Sequence, residues 1–333
     1  MKRIAINGFG RIGRAALKLI MEESDLEIVA INDLMPLSNI EYLLKYDSVY
    51  GIYEKEVSTE EGYLLVGGKR IKYFTQRDPE ELPWKEERVD IVVESTGFFT
   101  KREDAEKHIK AGAKTVVISG PTKSPDAPTV VHGVNTEDGH AAIFSCASCT
   151  TNNISPVVEI LGRTIGIKKA ILNTIHAYTA SQQLVDAPSK KNFRMGRAAA
   201  INLTPTSTGA AIATTKVLPQ YEGKFDGIAV RTPVPVGSLS DVTFIAERAT
   251  TPEEINEILE KEAQTTRYNK VIKVTHDPIV SSDIQMNSYA STVDASMTRV
   301  VDGDLVKIMI WYDNEWGFTN QMIRQIKEIK EIK

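Results

Sequence analysis

The sequence predicts a two-domain protein, with an N-terminal α/β domain on a parallel sheet and a C-terminal α+β domain. The length of 333 residues allows about two domains with cores of their own. In the first half, apolar strand-like runs alternate with helical patterns, which is typical of a parallel sheet. In the second half, Val242, Phe244 and Ala246 alternate with polar residues, which predicts a strand of a half-exposed antiparallel sheet.

Composition excludes several classes of protein. The net charge of −4 offers no general attraction for nucleic acid or anionic membranes, so neither is an expected partner. No apolar run approaches the roughly 20 residues that span a bilayer, and no signal peptide is visible at the N-terminus. The two cysteines are three residues apart, so they do not form a disulfide framework. We expect a cytoplasmic protein without a metal site.

A glycine-rich turn follows the first predicted strand, residues 3–6. Gly8, Gly10 and Gly13 have the spacing G-x-G-x-x-G and precede a helical pattern. Such a turn brings backbone N–H groups and a helix N-terminus close to a pyrophosphate. Asp33 ends the second predicted strand, twenty residues beyond the last glycine, where a carboxylate binds ribose hydroxyls. The sequence therefore predicts a dinucleotide site, with an ordinary tight turn as the alternative.

Two further predicted strands, residues 89–94 and 115–118, end in polar or small residues. Ligands of parallel sheets lie beyond the carboxyl ends of the strands, so Thr96, Gly97 and Ser119 are candidate contacts of the nicotinamide half. Plain strand-to-helix turns remain the alternative for each. Between these strands, a capping box that starts at Thr100 predicts a helix ending near residue 111. Residues 46–72 read as a β-rich insertion without chemistry.

Cys149 stands at the start of a pattern with helical period. A thiol there feels the positive end of the helix dipole, which favours the thiolate and makes Cys149 a candidate nucleophile. His176 ends a predicted strand 27 residues later and is a candidate general base. A buried small side chain and a structural histidine are the alternatives. The other four histidines are expected to be solvated or structural.

A phosphate-bearing substrate is indicated by the stretch that follows His176. Residues 178–200 form a long polar segment in which Arg194 and Arg197 supply positive charge. Beyond it, the sequence TSTGAA opens an Ala-rich helix whose N-terminus could hold an anion. The residues that together point to phosphate are Thr179, Thr208, Gly209 and Arg231. Singly, each has an ordinary structural interpretation, such as an N-cap or a surface ion pair.

With these motifs in order, the chain resembles the phosphorylating glyceraldehyde-3-phosphate dehydrogenases over essentially its full length. Six segments carry the resemblance, at residues 6–14, 44–49, 147–152, 176–179, 207–211 and 311–317. The resemblance implies an N-terminal Rossmann NAD(P)-binding domain and a catalytic domain with a mixed, largely antiparallel sheet. It also implies a homotetramer. We expect domains at residues 1–148 and 149–314, with a C-terminal helix, residues 315–333, packed on the first domain.

The resemblance also assigns roles to single residues. Cys149 attacks the aldehyde, His176 moves the proton, and inorganic phosphate releases the resulting thioester. Ser148, Thr150, Thr208 and Gly209 match residues that hold the attacking phosphate, and Thr179 and Arg231 match residues that hold the substrate phosphate. The residues matching cofactor contacts are Arg11, Ile12, Asp33, Arg77, Ser119 and Asn314.

Several positions depart from the pattern of these relatives. Cys146 replaces a usual Asn, as a buried side chain or as a partner for a reversible disulfide with Cys149. Ala180 and Ser181 replace Asn-Asp, and the arginine that faces phosphate, Arg194 or Arg197, stays open.

The coenzyme and the activity each leave an alternative. Ala187 resembles NADP-using relatives, whereas Pro188 and Asp33 resemble NAD-using ones, so we expect NAD with NADP tolerated. Erythrose-4-phosphate dehydrogenase and a non-catalytic binding protein are the alternative functions.

Overall fold

The computed structural model describes residues 1–189 and 192–330. The chain divides into two compact units. The first comprises Met1–Ala147 together with the chain from Met322 onward, and the second comprises Ser148–Gln321. Within the described residues, no helix is long and apolar enough to cross a membrane.

The first unit is built on an eight-stranded sheet. Its strands are β1 (Lys2–Asn7), β2 (Leu26–Asn32), β5 (Val57–Glu60), β6 (Tyr63–Val66), β7 (Lys69–Phe74), β8 (Ile91–Glu94), β9 (Thr115–Ile118) and β10 (Ile143–Ser145). They lie in the order β10-β9-β8-β1-β2-β7-β6-β5, and the six from β10 to β7 are parallel. This topology confirms the predicted α/β class. The chain reverses its direction of winding between β1 and β8, where ligands of such sheets bind.

The insertion of residues 46–72 is β-rich, as predicted. A short hairpin of β3 (Tyr46–Asp47) and β4 (Gly51–Ile52) precedes the antiparallel strands β5 and β6, which extend the edge of the sheet beside β7. The helices of this part of the chain are α1 (Arg11–Ile20), α2 (Leu37–Lys45) and α3 (Arg102–Lys110).

Helix α3 begins later than the sequence indicated. The predicted capping box at Thr100 is wrong, because the N-cap residue is Lys101 and its side chain makes no capping hydrogen bond. The Arg102 N–H donates instead to Ser124 Oγ at 2.9 Å, so a residue 22 positions away satisfies the helix start. Local sequence could not reveal this distant partner.

The second unit contains a mixed, largely antiparallel sheet, as expected. Its strands are β11 (Ile167–Ala177), β12 (Thr204–Ser207), β13 (Phe225–Thr232), β14 (Ser238–Ala246), β15 (Ile272–Thr275), β16 (Ser291–Asp294), β17 (Arg299–Val301) and β18 (Leu305–Tyr312). The order is β12-β13-β11-β14-β18-β16-β15, with β17 beside β18. Val242, Phe244 and Ala246 are buried and the intervening residues are partly exposed, which confirms the alternating pattern.

The α-helices described in the second half of the chain are α4 (Cys149–Thr164), α5 (Ala210–Val217), α6 (Pro252–Ala263) and α7 (Trp316–Glu328). Helix α6 is capped as predicted, because Thr251 Oγ1 accepts from the Glu254 N–H. The C-terminal half of α7 is held in the first unit. Lys2 Nζ donates to the carbonyl oxygens of Ile326 and Lys327, at 3.0 and 2.7 Å.

Candidate active site

In the glycine-rich loop of the first unit, Gly8 and Gly13 pack closely against neighbouring backbone, whereas Gly10 faces open space. Gly8 has φ of +90°, and a Cβ there would lie 2.5 Å from the Thr96 nitrogen. A Cβ on Gly13 would lie 2.2 Å from the Gly8 carbonyl oxygen, whereas one on Gly10 would meet nothing within 4 Å. Gly10 is also the N-cap of α1 and gives it no side-chain hydrogen bond. The first amides of α1 are therefore open to an anion such as a pyrophosphate.

A cavity of about 600 Å³ adjoins this loop. Its volume is typical of cofactor pockets. The lining residues are Asn7, Gly8, Gly10, Asn32, Asp33, Leu34, Met35, Gln76, Arg77, Ser95, Thr96, Phe98 and Phe99. Glycines, an acid at a strand end and aromatic side chains fit the phosphates, ribose and adenine of a dinucleotide.

Asp33 is held in place by two backbone donors. Its Oδ2 accepts from the Phe9 N–H at 2.6 Å, and its Oδ1 accepts from the Met35 N–H at 3.0 Å. The carboxylate therefore cannot swing out of the cavity without losing both bonds. Its fixed negative charge would attract ribose hydroxyls and repel a 2′-phosphate.

Several of the other predicted cofactor residues do not line this cavity. The Arg11 guanidinium forms an ion pair with Asp47 at 2.5 Å. A ligand would therefore contact Arg11 through its backbone N–H at the start of α1. Gly97 has φ of +75° and is exposed, and the Ser119 N–H donates to the Glu94 carbonyl oxygen. The residues that do not line the cavity are Arg11, Ile12, Gly13, Gly97 and Ser119.

A buried polar cluster supports the cavity floor, and the sequence did not reveal it. Glu94 accepts from Asn7 Nδ2 at 2.6 Å and from the Thr96 N–H at 2.8 Å. His108 Nε2 lies 3.1 Å from the same carboxyl group, and Trp84 Nε1 donates to His108 Nδ1. His108 is thus wholly buried and structural rather than solvated. The cluster links β1, β8 and α3, and it fixes Thr96 at the cavity wall.

In the second unit, Cys149 is the first residue of α4. Ser148 is the N-cap and its Oγ accepts from the Thr151 N–H at 3.0 Å. Cys149 Sγ lies 3.4 Å from His176 Nε2, within hydrogen-bonding distance for sulfur. The structure therefore brings the two predicted catalytic residues together. Neither cysteine forms a disulfide, and Cys146 is buried.

Strand register explains the environment of His176. In the parallel pair β11 and β13, His176 lies opposite Arg231. Arg231 Nη1 is 2.8 Å from His176 Nδ1, which is also 2.7 Å from the Ala177 carbonyl oxygen. Burial and the Arg231 charge lower the pKa of His176 from 6.5 to about 4. The imidazole is therefore neutral at physiological pH and able to accept a proton.

Cys149 differs electrostatically from the expectation of a favoured thiolate. Burial raises the pKa of its thiol, against the opposing effects of Arg231 and of the Thr150 hydroxyl and amide. That expectation is therefore wrong for the resting site, because desolvation outweighs the helix N-terminus. The structure favours a neutral thiol–imidazole pair, from which the thiolate forms by proton transfer to His176.

Tyr312 is a further buried residue of this site, and its role was not predicted from the sequence. Its hydroxyl is 2.8 Å from Thr150 Oγ1 and 2.9 Å from Thr174 Oγ1. Its ring lies edge-on to the His176 ring, with centroids 6.0 Å apart. Nothing local in the sequence identified the partners of its hydroxyl, because Thr150 and Thr174 lie far away in the chain. Because the Thr150 hydroxyl is engaged here, Thr150 offers a phosphate chiefly its backbone N–H.

The other predicted phosphate residues are partly satisfied within the protein. Thr208 Oγ1 accepts from the Ala210 N–H, and Gly209 is the N-cap of α5. Thr179 Oγ1 is 2.8 Å from Ser181 Oγ. Arg194 and Arg197 differ in the partners of their guanidinium groups.

The two arginines of the long segment can therefore be distinguished. Arg197 Nε donates to Asp186 Oδ2 at 2.8 Å and is exposed. In the chain described, the Arg194 guanidinium has no ion-pair or hydrogen-bond partner, so of the two it is the one available to an anion. Residues 190 and 191 of this segment lie outside the described residues.

Asn314 follows β18 and is buried. Its Oδ1 accepts from the Gly237 N–H at 3.2 Å and from Ser238 Oγ at 3.0 Å. In residues 1–189 and 192–330, no group of three or more His, Cys, Asp or Glu side chains could hold a metal ion.

Comparison with known families matches both halves of the chain. Residues 2–102 match the family "Glyceraldehyde 3-phosphate dehydrogenase, NAD binding domain". Residues 148–314 match the family "Glyceraldehyde 3-phosphate dehydrogenase, C-terminal domain". The cavity described above lies in the first half, and Cys149, His176 and Arg231 lie in the second.

Curated relatives with the same family name align with nearly the whole chain. The chain is 46% identical over 338 aligned positions to a glyceraldehyde-3-phosphate dehydrogenase of Clostridium pasteurianum, covering 100% of this chain and 99% of that protein. It is 47% identical to one of Streptomyces coelicolor, and 45% identical to glyceraldehyde-3-phosphate dehydrogenase 1 of Bacillus subtilis. In both of the latter, 96% of each chain is covered.

Proposed function

This chain belongs to the glyceraldehyde-3-phosphate dehydrogenase family, and from that premise we propose that it oxidises glyceraldehyde 3-phosphate to 1,3-bisphosphoglycerate through a thioester on Cys149. It is an NAD-dependent oxidoreductase by family. The observation that carries the mechanism is the 3.4 Å contact between Cys149 Sγ and His176 Nε2. Neutral imidazole and neutral thiol are the protonation states from which a nucleophile can be generated on demand.

Covalent attachment is the first step. His176 Nε2 takes the thiol proton as Cys149 Sγ adds to the aldehyde carbon, so that a C–S bond forms and the carbonyl π bond breaks. The imidazolium returns that proton to the new alkoxide and gives a hemithioacetal. The low pKa of His176, near 4, makes this imidazolium a strong acid, which favours the return.

Oxidation of the hemithioacetal is the second step. When bound, NAD would supply the acceptor for the hydride that leaves the former aldehyde carbon. As it leaves, His176 removes the hydroxyl proton and the C=O bond re-forms, which gives the Cys149 thioester. Cys149 is only partly exposed and His176 is buried, and the buried side chains of Thr150, Thr174 and Tyr312 limit access of water to this thioester.

Inorganic phosphate completes the reaction. A phosphate oxygen attacks the thioester carbon, the C–S bond breaks, and Cys149 leaves as a thiolate that regains a proton from His176. The N-terminal amides of α4 and α5 support an anion site for this phosphate, with contributions from Ser148, Thr150, Thr208 and Gly209. The residues proposed for the substrate phosphate are Thr179, Arg231 and Arg194, whose guanidinium has no partner among the described residues.

NAD fits the residues of the first unit. The open amides of α1 would hold the pyrophosphate, Asp33 the adenosine ribose, and Arg77 and Thr96 other parts of the cavity wall. In the second unit, Asn314 is proposed as a further cofactor residue from its match to the family pattern. The fixed carboxylate of Asp33 supports NAD over NADP, because a 2′-phosphate would lie close to a like charge.

Assembly and location are proposed as for the family, a cytoplasmic homotetramer. Exposed apolar side chains support subunit contacts. Ile171, Ile212 and Leu305 line an open groove of about 750 Å³, and Leu184 and Val185 are exposed in the long segment. The break between the compact units after Ala147 supports a domain boundary near residue 148.

The test is NADH formation with glyceraldehyde 3-phosphate or erythrose 4-phosphate, each with and without inorganic phosphate. We expect fast turnover only with the triose phosphate and added phosphate. Equal rates without phosphate or arsenate would contradict the phosphorylating reaction. Preference for the tetrose would make the chain an erythrose-4-phosphate dehydrogenase, and no turnover with either aldehyde would favour a binding protein.

A further inference from the structure

Glu94 is a buried carboxyl group in the first unit, at the end of β8, and no step of the proposed mechanism uses it. It is 1% exposed. Its Oε1 accepts from the N–H and the hydroxyl of Thr96. Its Oε2 lies 2.6 Å from Asn7 Nδ2 and 3.1 Å from His108 Nε2. Burying a carboxyl group is costly unless its oxygens are hydrogen-bonded, so these partners decide whether Glu94 carries a charge.

Trp84 determines which nitrogen of His108 carries the ring hydrogen. The indole N–H of Trp84 can only donate, and Nε1 lies 2.9 Å from His108 Nδ1. Nδ1 is therefore unprotonated, so the imidazole is neutral and its hydrogen is on Nε2, which donates to Glu94 Oε2. Both rings are fully buried, so water does not offer either of them another partner.

The orientation of the Asn7 amide is fixed by a similar chain of bonds. The Gln76 N–H donates to Asn32 Oδ1 at 2.8 Å, which identifies the other polar atom of the Asn32 amide as the nitrogen. Asn32 Nδ2 donates to Asn7 Oδ1 at 2.7 Å. Asn7 therefore directs its own Nδ2, a donor, to Glu94.

All the groups bonded to the Glu94 carboxyl are thus donors. The Phe98 N–H donates to Thr96 Oγ1 at 3.1 Å, which leaves the Thr96 hydroxyl hydrogen for Glu94 Oε1. Together with the Thr96 N–H, the Asn7 amide and the His108 ring, four hydrogens point to two oxygens. A proton on either oxygen would face another hydrogen, so the bonds are complete only when the carboxyl group is ionised.

The same carboxylate holds the glycine-rich loop from two sides. Asn7 immediately precedes Gly8, and Thr96 is the residue on which Gly8 packs, because a Cβ on Gly8 would lie 2.5 Å from the Thr96 nitrogen. Ser95 donates from its hydroxyl to the Gly8 carbonyl oxygen at 2.7 Å. The backbone of Gly8 therefore depends on the positions of Asn7 and Thr96, and both are bonded to Glu94.

We propose that Glu94 is a positioning residue for the glycine-rich loop, acting as a buried carboxylate that is balanced by neutral donors. It holds the residue before the loop and the residue beneath it, so that the first amides of α1 are already arranged for a pyrophosphate. A ligand then does not have to order the loop as it binds. The proposal rests on the proposed function, which assigns this loop to NAD.

A paired substitution moves the charge by one side chain. Glu94→Gln removes the charge and places an amide NH2 group against a donor at either oxygen position. Asn7→Asp in the same chain supplies the missing acceptor, because Asn7 Nδ2 lies 2.6 Å from Glu94 Oε2 and 3.4 Å from His108 Nε2. The amide oxygen at position 94 still accepts from Thr96. Asn7→Asp alone places two carboxylates 2.6 Å apart.

The first measurement is NAD binding to the full-length chain by titration calorimetry. We expect Glu94→Gln to weaken NAD about ten-fold, because binding must then restore the loop, and Asn7→Asp to regain most of this loss when the two are combined. Asn7→Asp alone should weaken NAD at least as much as Glu94→Gln. Glu159→Gln is the matched control and should leave NAD binding unchanged, because its carboxylate bonds Tyr268 Oη at 2.6 Å in the second unit.

Two measurements without NAD separate positioning from a general loss of structure. The rate at which iodoacetamide alkylates Cys149 reports the second unit, and we expect it to be the same in Glu94→Gln and in the unmodified protein. NMR of the ¹⁵N-labelled His108 ring should show a hydrogen on Nε2 and none on Nδ1. If Glu94→Gln does not fold, Thr96→Val replaces it, since it removes the hydroxyl that bonds Glu94. Thr96→Ser keeps that hydroxyl and should bind NAD like the unmodified protein.

The contrary results are distinct. Unchanged NAD affinity in Glu94→Gln would overturn the proposal, as would an equal loss in Glu159→Gln or altered alkylation of Cys149 in Glu94→Gln. Failure of Asn7→Asp to restore NAD binding would show that the charge does not hold the loop. A hydrogen on Nδ1 of His108 would overturn the assignment of that charge. Absence of NAD binding to the unmodified protein would instead contradict the proposed function, whatever the state of His108.

Discussion

Arg231 and His176 lie side by side in adjacent parallel strands, and their side chains meet at 2.8 Å through Nη1 and Nδ1. The same Nδ1 is 2.7 Å from the Ala177 carbonyl oxygen. For Nε2 to take a proton, Nδ1 must carry the ring hydrogen and donate it to the Ala177 carbonyl oxygen, both in the neutral ring and in the imidazolium. The nearby arginine charge disfavours the imidazolium. This suits a histidine that must accept a proton and then release it.

Arg231→Gln is expected to raise the pKa of His176 from about 4 toward its ordinary 6.5, because the opposing positive charge is removed. The measurement is an NMR titration of the His176 ring in a Cys149→Ser background, where no thiol titrates beside it. Arg197→Gln is the control, since that arginine is exposed and bonded to Asp186. An unchanged His176 pKa in Arg231→Gln would contradict this assignment.

His176 should also make folding stability depend on pH. Its pKa is lower in the folded than in the unfolded chain, so its contribution is fully present above pH 6.5 and is lost as pH falls toward 4. The loss is of the order of 3 kcal/mol, from a difference of about 2.5 pKa units. Denaturant unfolding at several pH values measures this loss. The free energy of unfolding should fall less steeply with decreasing pH for His176→Asn than for the unmodified protein. Parallel curves for the two proteins would count against a buried neutral histidine.

Cys149→Ser should lower turnover by about four orders of magnitude or more, because a hydroxyl beside a neutral imidazole does not replace the thiol nucleophile. NAD binding should persist, since the cavity at the glycine-rich loop contains no part of this residue. Cys146→Ala is the control and should keep most activity. Retained turnover in Cys149→Ser would remove the central claim of the mechanism.

A reversible disulfide between Cys146 and Cys149, the alternative to a merely buried Cys146, can be tested separately. Neither thiol forms a disulfide in the structure, and burial raises the pKa of Cys146 far above its ordinary value, which disfavours its thiolate. We therefore expect mild oxidation to act on Cys149 alone, and Cys146→Ala to be inactivated like the unmodified protein. Protection by Cys146→Ala, with recovery of the unmodified protein by dithiothreitol, would establish the disulfide.

Asp33→Asn should reduce the preference for NAD over NADP by about ten-fold, because the like-charge repulsion of a 2′-phosphate is lost. The ratio of kcat/KM for the two coenzymes is the measurement. Some stability should be lost as well, since the amide nitrogen would face a backbone N–H that now donates to the carboxylate. An unchanged coenzyme ratio would show that another residue sets the preference.

Much of the fold followed from patterns that are local in the chain. The glycine spacing, the apolar strands and the helix after Cys149 specify their own backbone conformation, so they were predicted correctly. The start of α3 was not, because Ser124 supplies its cap from 22 residues away. The role of His108 was also missed. Its helix looks charged, yet the ring is buried against Trp84 and Glu94 by packing between distant elements.

The sequence by itself determined the chemistry that is available: a nucleophilic thiol at a helix start, a histidine at a strand end, and a dinucleotide loop closed by an acid. Tertiary structure alone decided how those groups are tuned. Strand register placed Arg231 beside His176, and packing brought the Tyr312 hydroxyl to Thr150. Burial raised the pKa of Cys149, where the helix position had suggested the opposite. The physical reason is that a motif specifies local geometry, whereas desolvation and charge pairing depend on residues far apart in the chain.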